Sequence, residues 1–307
     1  MKFLIVGTGG TGGSIGSFLA LNKEDVTFIS RGQNLKLMKA NGVQFNSTIK
    51  GKHTIKNASV VSESEYNENA DVIFVCVKGY SVEEIIPIIK KASHKDTIII
   101  PIMNGYNMSE KIANNIDIGH VLEGCIYISA FVDQPGSITQ LGPLFKIVFG
   151  KKSKQVVDQD KLLDIKRRLE DSGIVTILSE TIESDTFKKF TFISAYAACG
   201  AYYDVDASGM QVDGEARKTA ILLTKEIASI GNALKLDLDV DITESFLSIL
   251  ESLTPDTTAS LQKDLKANKP SEMDGLVFEI IRLAKALNID VPTYRMIADH
   301  FGYLADS

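Results

Sequence analysis

The first candidate site is a glycine-rich segment near the start of the chain. It has the pattern G-x-G-x-x-G, directly follows the apolar run Phe3–Val6 and opens a helical stretch. In such a loop the first glycine permits a tight turn, the second lets the backbone approach a pyrophosphate, and the third lets the helix pack on the strand. The helix also offers free N–H groups and its positive dipole end to the anion. We therefore predict that a dinucleotide is bound by Gly7, Thr8, Gly9, Gly10, Thr11 and Gly12.

The residues after the second apolar run bear on which dinucleotide is bound. Sites for NAD usually carry Asp or Glu at this point, about 20 residues after the glycine-rich loop, and this residue binds the ribose 2′-hydroxyl. This chain has Ser30-Arg31-Gly32 instead. The forked guanidinium of Arg31 suits a 2′-phosphate, although a solvated loop arginine is the alternative. The sequence therefore favours NADPH over NADH.

Other polar residues follow strand-like runs or lie near the start of a helix. Lys78 and Asn104 come after two buried runs, at the edge where open α/β sheets bind ligands. Lys189 lies in the first long helix of the second half, and Glu272 follows Pro270-Ser271. Three of them also have a structural interpretation. Lys78 is then an exposed loop lysine, Asn104 a turn-forming asparagine, and Glu272 a glutamate that favours the helix dipole behind a Ser271 cap. From residue types alone, both interpretations of Glu272 stay open.

Other catalytic chemistries find little support in the sequence. The four histidines lie in polar loops or near the end of the chain, with no obvious acidic partner, which disfavours a histidine–carboxylate dehydrogenase. No His, Cys and Asp cluster has ligand spacing, so no metal site is predicted. Cys76, Cys125 and Cys199 are odd in number and widely spaced, unlike a disulfide framework. We expect a reduced, soluble and cytoplasmic protein.

The composition is that of a globular protein with a sizeable core. The 307 residues are 44% hydrophobic and 23% charged, and at about 100–200 residues per domain this length suggests two domains. The 33 Lys and Arg against 39 Asp and Glu give a net charge of −6. That balance argues against a nucleic-acid partner and against adhesion to an anionic membrane. No apolar run approaches the about 18 residues of a transmembrane helix.

The first half must position the glycine-rich loop, and it alternates continuous apolar runs with helical stretches. This pattern predicts βαβ units and a doubly wound parallel sheet. The runs are Phe3–Val6, Val26–Ser30, Val72–Val77 and Thr97–Pro101. From about residue 121, strand-like pieces separated by turn signals predict an antiparallel extension of that sheet. These pieces are Ile126–Phe131, Gly136–Leu141 and Phe145–Phe149, with turns expected at Gln134-Pro135-Gly136 and Gly142-Pro143.

After Ser179 the strand signal disappears and helical periodicity dominates. The helical stretches are Asp185–Ala201, Gly214–Leu234, Glu244–Glu251 and Met273–Leu287. The predicted fold is an α/β N-terminal Rossmann-type doubly wound sheet, residues 1–178, followed by an all-α C-terminal domain, residues 179–307. The apolar helical faces allow a homodimer, but a compact monomer buries the same residues, so the oligomeric state stays open.

Several short segments, each present once, follow one another along the chain in a specific order. They are Ser30-Arg31-Gly32, Val77-Lys78, Met103-Asn104-Gly105, Phe187-Lys188-Lys189, Ser260-Leu261-Gln262-x-Asp264, Ser271-Glu272-Met273-Asp274 and Asn288-Ile289-Asp290-Val291-Pro292-Thr293. Together with the glycine-rich loop, they make the chain resemble the ketopantoate reductase (2-dehydropantoate 2-reductase) family over nearly its whole length.

The resemblance implies hydride transfer from NADPH to the ketone of a 2-oxo acid, which gives a D-2-hydroxy acid. The ketone oxygen gains negative charge as hydride arrives, so a proton donor must stand beside it. Lys189 matches the family's donor, and Glu272 matches the glutamate that orients that lysine and contacts the substrate hydroxyl. Ser260 matches the serine that binds the substrate carboxylate. Asn104 matches the asparagine that links cofactor and substrate, and Lys78 matches a lysine on the cofactor side.

The chain departs from the family pattern on the helix that carries Lys189. Two substrate-binding asparagines, commonly four residues apart, fall at Ile193 and Ala197, and a third is replaced near Ser208. Apolar side chains there suit a more hydrophobic 2-oxo acid. Ketopantoate, reduced to pantoate in pantothenate biosynthesis, is the first choice of substrate. The alternative is a D-2-hydroxy-acid dehydrogenase for branched or aromatic 2-oxo acids.

A third hypothesis belongs to a different class of protein. The Rossmann half could bind NADP(H) without turnover, as a sensing regulator whose helical half docks a partner. The missing asparagines make this conceivable. The retained Lys189, Ser260 and Glu272 argue against it, because a sensor has no use for a proton donor beside the nicotinamide.

Overall fold

The structure, a computed structural model, describes residues 1–238 and 241–304. Its internal contacts divide the chain into two units. The first comprises Met1–Met103 and Asn107–Ile182, and the second comprises Asn104–Tyr106 and the chain from Glu183 onward. Residues 239, 240 and 305–307 of the predicted helical domain lie outside the described residues. The predicted boundary at 178/179 stays a prediction.

The first unit contains a six-stranded sheet in which all pairs are parallel. Its strands are β1 (Lys2–Val6), β2 (Asp25–Ile29), β5 (Ser59–Val61), β6 (Val72–Val75), β7 (Ile98–Pro101) and β8 (His120–Val121). The spatial order is β5-β2-β1-β6-β7-β8, which is 3-2-1-4-5-6 within this sheet. This is a doubly wound order and confirms the predicted type of sheet. Successive residues such as Leu4 and Ile5 are both fully buried, because helices cover both faces.

The helices of this unit follow the strands in the manner of βαβ units. They are α1 (Gly10–Leu21), α2 (Gly32–Asn41), α3 (Val82–Ala92), α4 (Met108–Ala113) and α5 (Gln159–Asp171), with a 3₁₀ turn at Gly79–Ser81. The strand order reverses between β1 and β6. In open parallel sheets, ligands bind beyond the carboxyl ends of the strands at such a reversal. The glycine-rich loop follows β1 and therefore lies at this point.

A second sheet corrects the predicted antiparallel extension. Its strands are β3 (Val43–Ser47), β4 (Gly51–Ile55), β9 (Glu123–Gln134), β10 (Ser137–Gly150) and β11 (Val175–Leu178). They follow the order β11-β10-β3-β4, with β9 paired to β10, and form a sheet of their own. Gly142-Pro143 makes no hairpin turn: Gly142 has φ +74° and lies at a register shift, through which β10 runs as one strand.

The described part of the second unit is helical, as predicted. It comprises α6 (Ile182–Tyr203), α7 (Ala207–Gln211), α8 (Glu215–Ala233), α9 (Ile242–Ser252), α10 (Ser260–Lys266), α11 (Glu279–Leu287) and α12 (Pro292–His300). The predicted helix Met273–Leu287 differs in one respect, because its first part, Asp274–Phe278, is a π-helical turn. Phe187, Phe246 and Tyr294 are among the buried side chains of its core. No helix of the described chain is long and apolar enough to cross a membrane.

Candidate active site

The glycine-rich loop has a shape that two of its glycines make possible. Gly7 has φ +99°, and a Cβ there would lie 2.8 Å from the Cys76 carbonyl oxygen. A Cβ on Gly12 would lie 2.1 Å from the Gly7 carbonyl oxygen, because α1 turns directly back over the loop. Real Cβ atoms do not approach this closely, so any side chain at Gly12 forces the loop and the helix apart.

Gly9 differs from its neighbours because it faces open space. It is exposed, lies at the N-cap of α1 in an extended conformation, and a Cβ there would meet nothing within 4 Å. No side chain caps this helix end and no acidic residue lies in its first turn. The first backbone N–H groups of α1 therefore suit an anion such as a dinucleotide pyrophosphate. This open face of the loop is where the predicted cofactor fits.

The structure gives Thr8, Gly10 and Thr11 other surroundings. The Thr8 hydroxyl is buried and donates to the Ser30 hydroxyl at 2.8 Å, which ties the loop to the end of β2. A Cβ on Gly10 would lie 2.4 Å from the Ala130 carbonyl oxygen, so this glycine admits the backbone of β9. Thr11 is half-buried in the first turn of α1. Contact of these three with a cofactor stays a prediction.

Two basic residues lie at the same edge of the six-stranded sheet. Arg31 follows β2, its side chain is 80% exposed, and its guanidinium lies 3.1 Å from the Glu84 carboxylate. Sequence reasoning missed Glu84, because only the fold brings the start of α3 to the end of β2. Lys78 follows β6 and is half-buried, and its carbonyl accepts the Ser81 N–H at 2.9 Å within the 3₁₀ turn.

The second unit brings together three of the predicted residues from distant parts of the sequence. The Lys189 ammonium donates to the Asn104 side-chain oxygen at 3.3 Å, and the Asn104 amide nitrogen lies 3.5 Å from the Glu272 carboxylate. Glu272 is only 5% exposed. The amide of Asn104 thus stands between a cation that can donate a proton and a buried carboxylate. Such contacts are often long in a ligand-free site and shorten when substrate binds.

The residues around Asn104 explain how a loop segment reaches α6. Gly105 has φ +118°, which turns the chain directly after Asn104. The Tyr106 ring then packs edge-on against the Phe187 ring, with centroids 5.6 Å apart. Its centroid lies 6.0 Å from that of the Phe190 ring. These two phenylalanines flank Lys189 in the helix, so the packing of Tyr106 holds Asn104 beside that lysine. Sequence reasoning missed Tyr106, because an aromatic residue in a loop carries no signal of its partner.

The other predicted substrate residues lie on α10 and α6 and differ in burial. Ser260 is exposed at the first residue of α10. Ile193 is half-buried, and Ala197 is 1% exposed within the helical core. The described hydrogen bonds do not join these positions to Lys189, Asn104 or Glu272. Their roles in substrate binding stay predictions.

One histidine departs from the expectation that none has an acidic partner. His94 lies 3.8 Å from Asp71 and 4.0 Å from Asp96. It precedes β7 and therefore lies at the amino edge of the parallel sheet, opposite the edge where ligands bind. The pair is thus unsuited to a histidine–carboxylate dehydrogenase. Within the described residues, no group of three or more His, Cys, Asp or Glu could hold a metal ion.

Comparison with known proteins assigns the chain to a family. The family described as "Ketopantoate reductase PanE/ApbA" matches residues 3–154, and "Ketopantoate reductase PanE/ApbA C terminal" matches residues 181–303. The chain belongs to the ketopantoate reductase family. This confirms the resemblance carried by the sequence segments, and it makes the protein a member of an oxidoreductase family.

Individual relatives are distant but cover nearly the whole chain. "Uncharacterized oxidoreductase YkpB" of Bacillus subtilis (strain 168) is 27% identical over 297 residues, 97% of this chain and 96% of that protein. The "2-dehydropantoate 2-reductase" of Aquifex aeolicus (strain VF5) is 25% identical over 301 residues, 97% and 94% of the two chains.

Solved structures confirm the fold of this ketopantoate reductase family member. A PanE/ApbA family ketopantoate reductase from Ralstonia eutropha JMP134 has a TM-score of 0.88 at 21% identity, covering 98% of this chain and 97% of its own. A D-mandelate dehydrogenase solved with NADH and anilino(oxo)acetate has a TM-score of 0.87 at 21% identity, covering 97% and 96%.

Proposed function

We propose that this protein reduces a 2-oxo acid to a D-2-hydroxy acid with NADPH, and that ketopantoate, which gives pantoate, is its first-choice substrate. The observation that carries the proposal is the Lys189–Asn104–Glu272 arrangement in a member of the ketopantoate reductase family. The homodimer allowed by the apolar helical faces and a cytoplasmic location stay predictions.

The residues of this chain supply positioning and a proton. The nicotinamide, when bound, supplies a hydride to the ketone carbon. Lys189 then transfers a proton from Nζ to the ketone oxygen, which otherwise becomes an alkoxide, and afterwards regains a proton from water. The side-chain oxygen of Asn104 orients the Lys189 ammonium. The Glu272 carboxylate in turn orients the side-chain nitrogen of Asn104. At the cofactor end, the open face of Gly9 admits the pyrophosphate.

A second candidate substrate class follows from two apolar positions. Ile193 and Ala197 stand where the family resemblance places asparagines, and Ala197 lies within the helical core. Apolar groups at these positions favour branched or aromatic 2-oxo acids over a hydroxylated one. The similarity in fold to a D-mandelate dehydrogenase is consistent with this alternative.

A substrate panel separates the two classes. Oxidation of NADPH by the purified protein is followed with ketopantoate, 2-oxoisovalerate, 2-oxoisocaproate and phenylglyoxylate, and repeated with NADH. Preference for ketopantoate supports the first-choice substrate, whereas preference for the apolar acids supports a D-2-hydroxy-acid dehydrogenase. Absence of turnover with all four contradicts the proposed reduction of these acids.

Replacing Arg31 is expected to change cofactor selectivity. Arg31→Ala removes the group proposed to bind the 2′-phosphate, so the KM for NADPH should rise about tenfold or more, because charge-assisted hydrogen bonds contribute about 1.5–3 kcal/mol. The KM for NADH should stay unchanged. Since the Arg31–Glu84 pair is exposed, its loss should leave the melting temperature nearly unchanged.

Glu84→Gln is the matched variant for this prediction. It removes the carboxylate that competes with a 2′-phosphate for Arg31 and should lower the KM for NADPH a few-fold. Equal changes for NADPH and NADH in the Arg31→Ala variant would show that Arg31 does not read the 2′-phosphate.

A further inference from the structure

A buried polar contact links the two helical segments that carry Lys189 and Glu272. The Ser194 hydroxyl, on α6 five residues after Lys189, lies 2.5 Å from the Leu276 carbonyl oxygen in the π-helical turn Asp274–Phe278. It also lies 2.7 Å from the Tyr294 hydroxyl on α12. Ser194 and Tyr294 are fully buried, and Leu276 is almost so. Three segments of the second unit therefore meet at one serine.

The direction of these hydrogen bonds follows from the donors available. A carbonyl oxygen can only accept, so Ser194 donates its one hydroxyl hydrogen to Leu276. Tyr294 must then donate to the Ser194 oxygen. Burial raises the pKa of Tyr294 well above its usual value, so this donor stays protonated. The chain of donation runs from Tyr294 through Ser194 to Leu276.

The acceptor lies in an unusual element. A π-helical turn carries one more residue than an α-turn and is frequently found at functional sites. Here it begins two residues after Glu272, so the extra residue sets where Glu272 lies relative to α11. The Glu272 carbonyl also accepts the Leu276 N–H at 2.9 Å. The backbone of Leu276 is thus hydrogen-bonded through its N–H to Glu272 and through its carbonyl to Ser194.

Tyr294 is itself held in place from a fourth segment. The Glu226 carboxylate of α8 accepts the N–H groups of Thr293 and Tyr294, at 2.8 and 3.0 Å, at the start of α12. A carboxylate at a helix N-terminus is favoured by the free N–H groups there. The donor of the network is therefore fixed at its backbone as well as through its hydroxyl.

We propose that Ser194, supported by Tyr294, is a positioning residue that keeps the π-helical turn, and with it Glu272, in register with Lys189. This rests on the proposed function, in which Lys189 donates the proton and Glu272 orients Asn104. Ser194 touches neither substrate nor cofactor in this account. It acts through Leu276 and the turn that follows Glu272.

The test compares variants of the full chain in the NADPH-dependent reduction of whichever 2-oxo acid the wild type turns over. Ser194→Ala should lower kcat about tenfold with the KM for NADPH unchanged, because a displaced catalytic group is costly even when it remains present. Tyr294→Phe keeps the Ser194–Leu276 bond and should lower kcat only about threefold.

Thr191→Val is the matched control. Thr191 is equally buried on the same helix, but its hydroxyl donates to the Phe187 carbonyl of its own helix at 3.0 Å. This variant should stay within about twofold of wild-type kcat. Hydrogen exchange should quicken in the peptide covering 272–278 for Ser194→Ala alone.

The outcomes distinguish this inference from the proposed function. An active wild type in which Ser194→Ala and Thr191→Val have the same kcat and the same hydrogen exchange in the peptide covering 272–278 overturns the positioning role and leaves the reductase proposal intact. A wild type without turnover overturns the proposed function and the positioning role with it. If Ser194→Ala does not fold, Tyr294→Phe carries the comparison, and a kcat no lower than that of Thr191→Val overturns the inference.

Discussion

The Lys189→Ala variant is expected to lose about 10²–10⁴-fold in kcat, the range that general acid catalysis contributes. Its affinity for NADPH should stay within a few-fold of wild type, because the glycine-rich loop belongs to the other unit of the chain. Without the ammonium, the oxygen that accepts negative charge has no positioned donor and must take its proton from water. Stopped-flow turnover and fluorescence titration of bound NADPH measure the two effects separately.

The neighbouring lysine is a close control for this experiment. Lys188 is half-buried on the same helix, and Lys188→Ala removes the same charge one residue away. It should retain most of the wild-type kcat. Equal losses in the two variants would assign the effect to charge or helix stability. Full activity in Lys189→Ala would refute the proton-donor role, and a bound cofactor without turnover in the wild type would favour the sensing regulator.

Replacing Gly9 or Gly12 of the glycine-rich loop with alanine is expected to have different effects on cofactor binding and stability. Gly9→Ala adds a methyl group in open space, so the fold and melting temperature should be unchanged, but the methyl occupies the place of the pyrophosphate. At about 1–3 kcal/mol of overpacking, the Kd for NADPH should rise about 5- to 160-fold. Gly12→Ala places its methyl 2.1 Å from the Gly7 carbonyl oxygen and should also lower the free energy of unfolding, by at least about 2 kcal/mol.

Gly214→Ala provides the control for both variants. Gly214 has an extended backbone with φ 170°, and a Cβ there would meet nothing within 4 Å. Calorimetry and NADPH titration should find this variant unchanged. If Gly9→Ala binds NADPH as tightly as wild type, the open face of the loop is not the cofactor site.

Sequence patterns predicted four of the six strands of the parallel sheet, all but the short β5 and β8, and predicted the second sheet poorly. The strands β1, β6 and β7 are buried on both faces, so their apolar runs are continuous and easily recognised. In contrast, β4 has four exposed residues of five and shows no apolar pattern. The long hairpin of β9 and β10 was predicted as three pieces, because Gly142-Pro143 has the residue types of a turn. Which sheet a strand joins depends on long-range pairing that a local pattern does not contain.

The candidate site shows the same division between local and long-range information. Lys189, Asn104 and Glu272 were found through segments that resemble a family. The structure adds that the Asn104 amide lies between the Lys189 ammonium and the Glu272 carboxylate. Tyr106, Glu84 and Ser194 carry no sequence signal. A loop tyrosine, a helical glutamate and a buried serine acquire their roles only from the partners that the fold brings to them.

Transfer of a labelled hydride tests the central claim most directly. The protein is incubated with NADPH carrying deuterium at the transferable C4 position and with the 2-oxo acid of highest turnover, ketopantoate being tried first. The account predicts a 2-hydroxy acid that carries deuterium at C2 and has the D configuration. The Lys189→Ala variant should form almost none of this product. A product without deuterium, or of the L configuration, would contradict it.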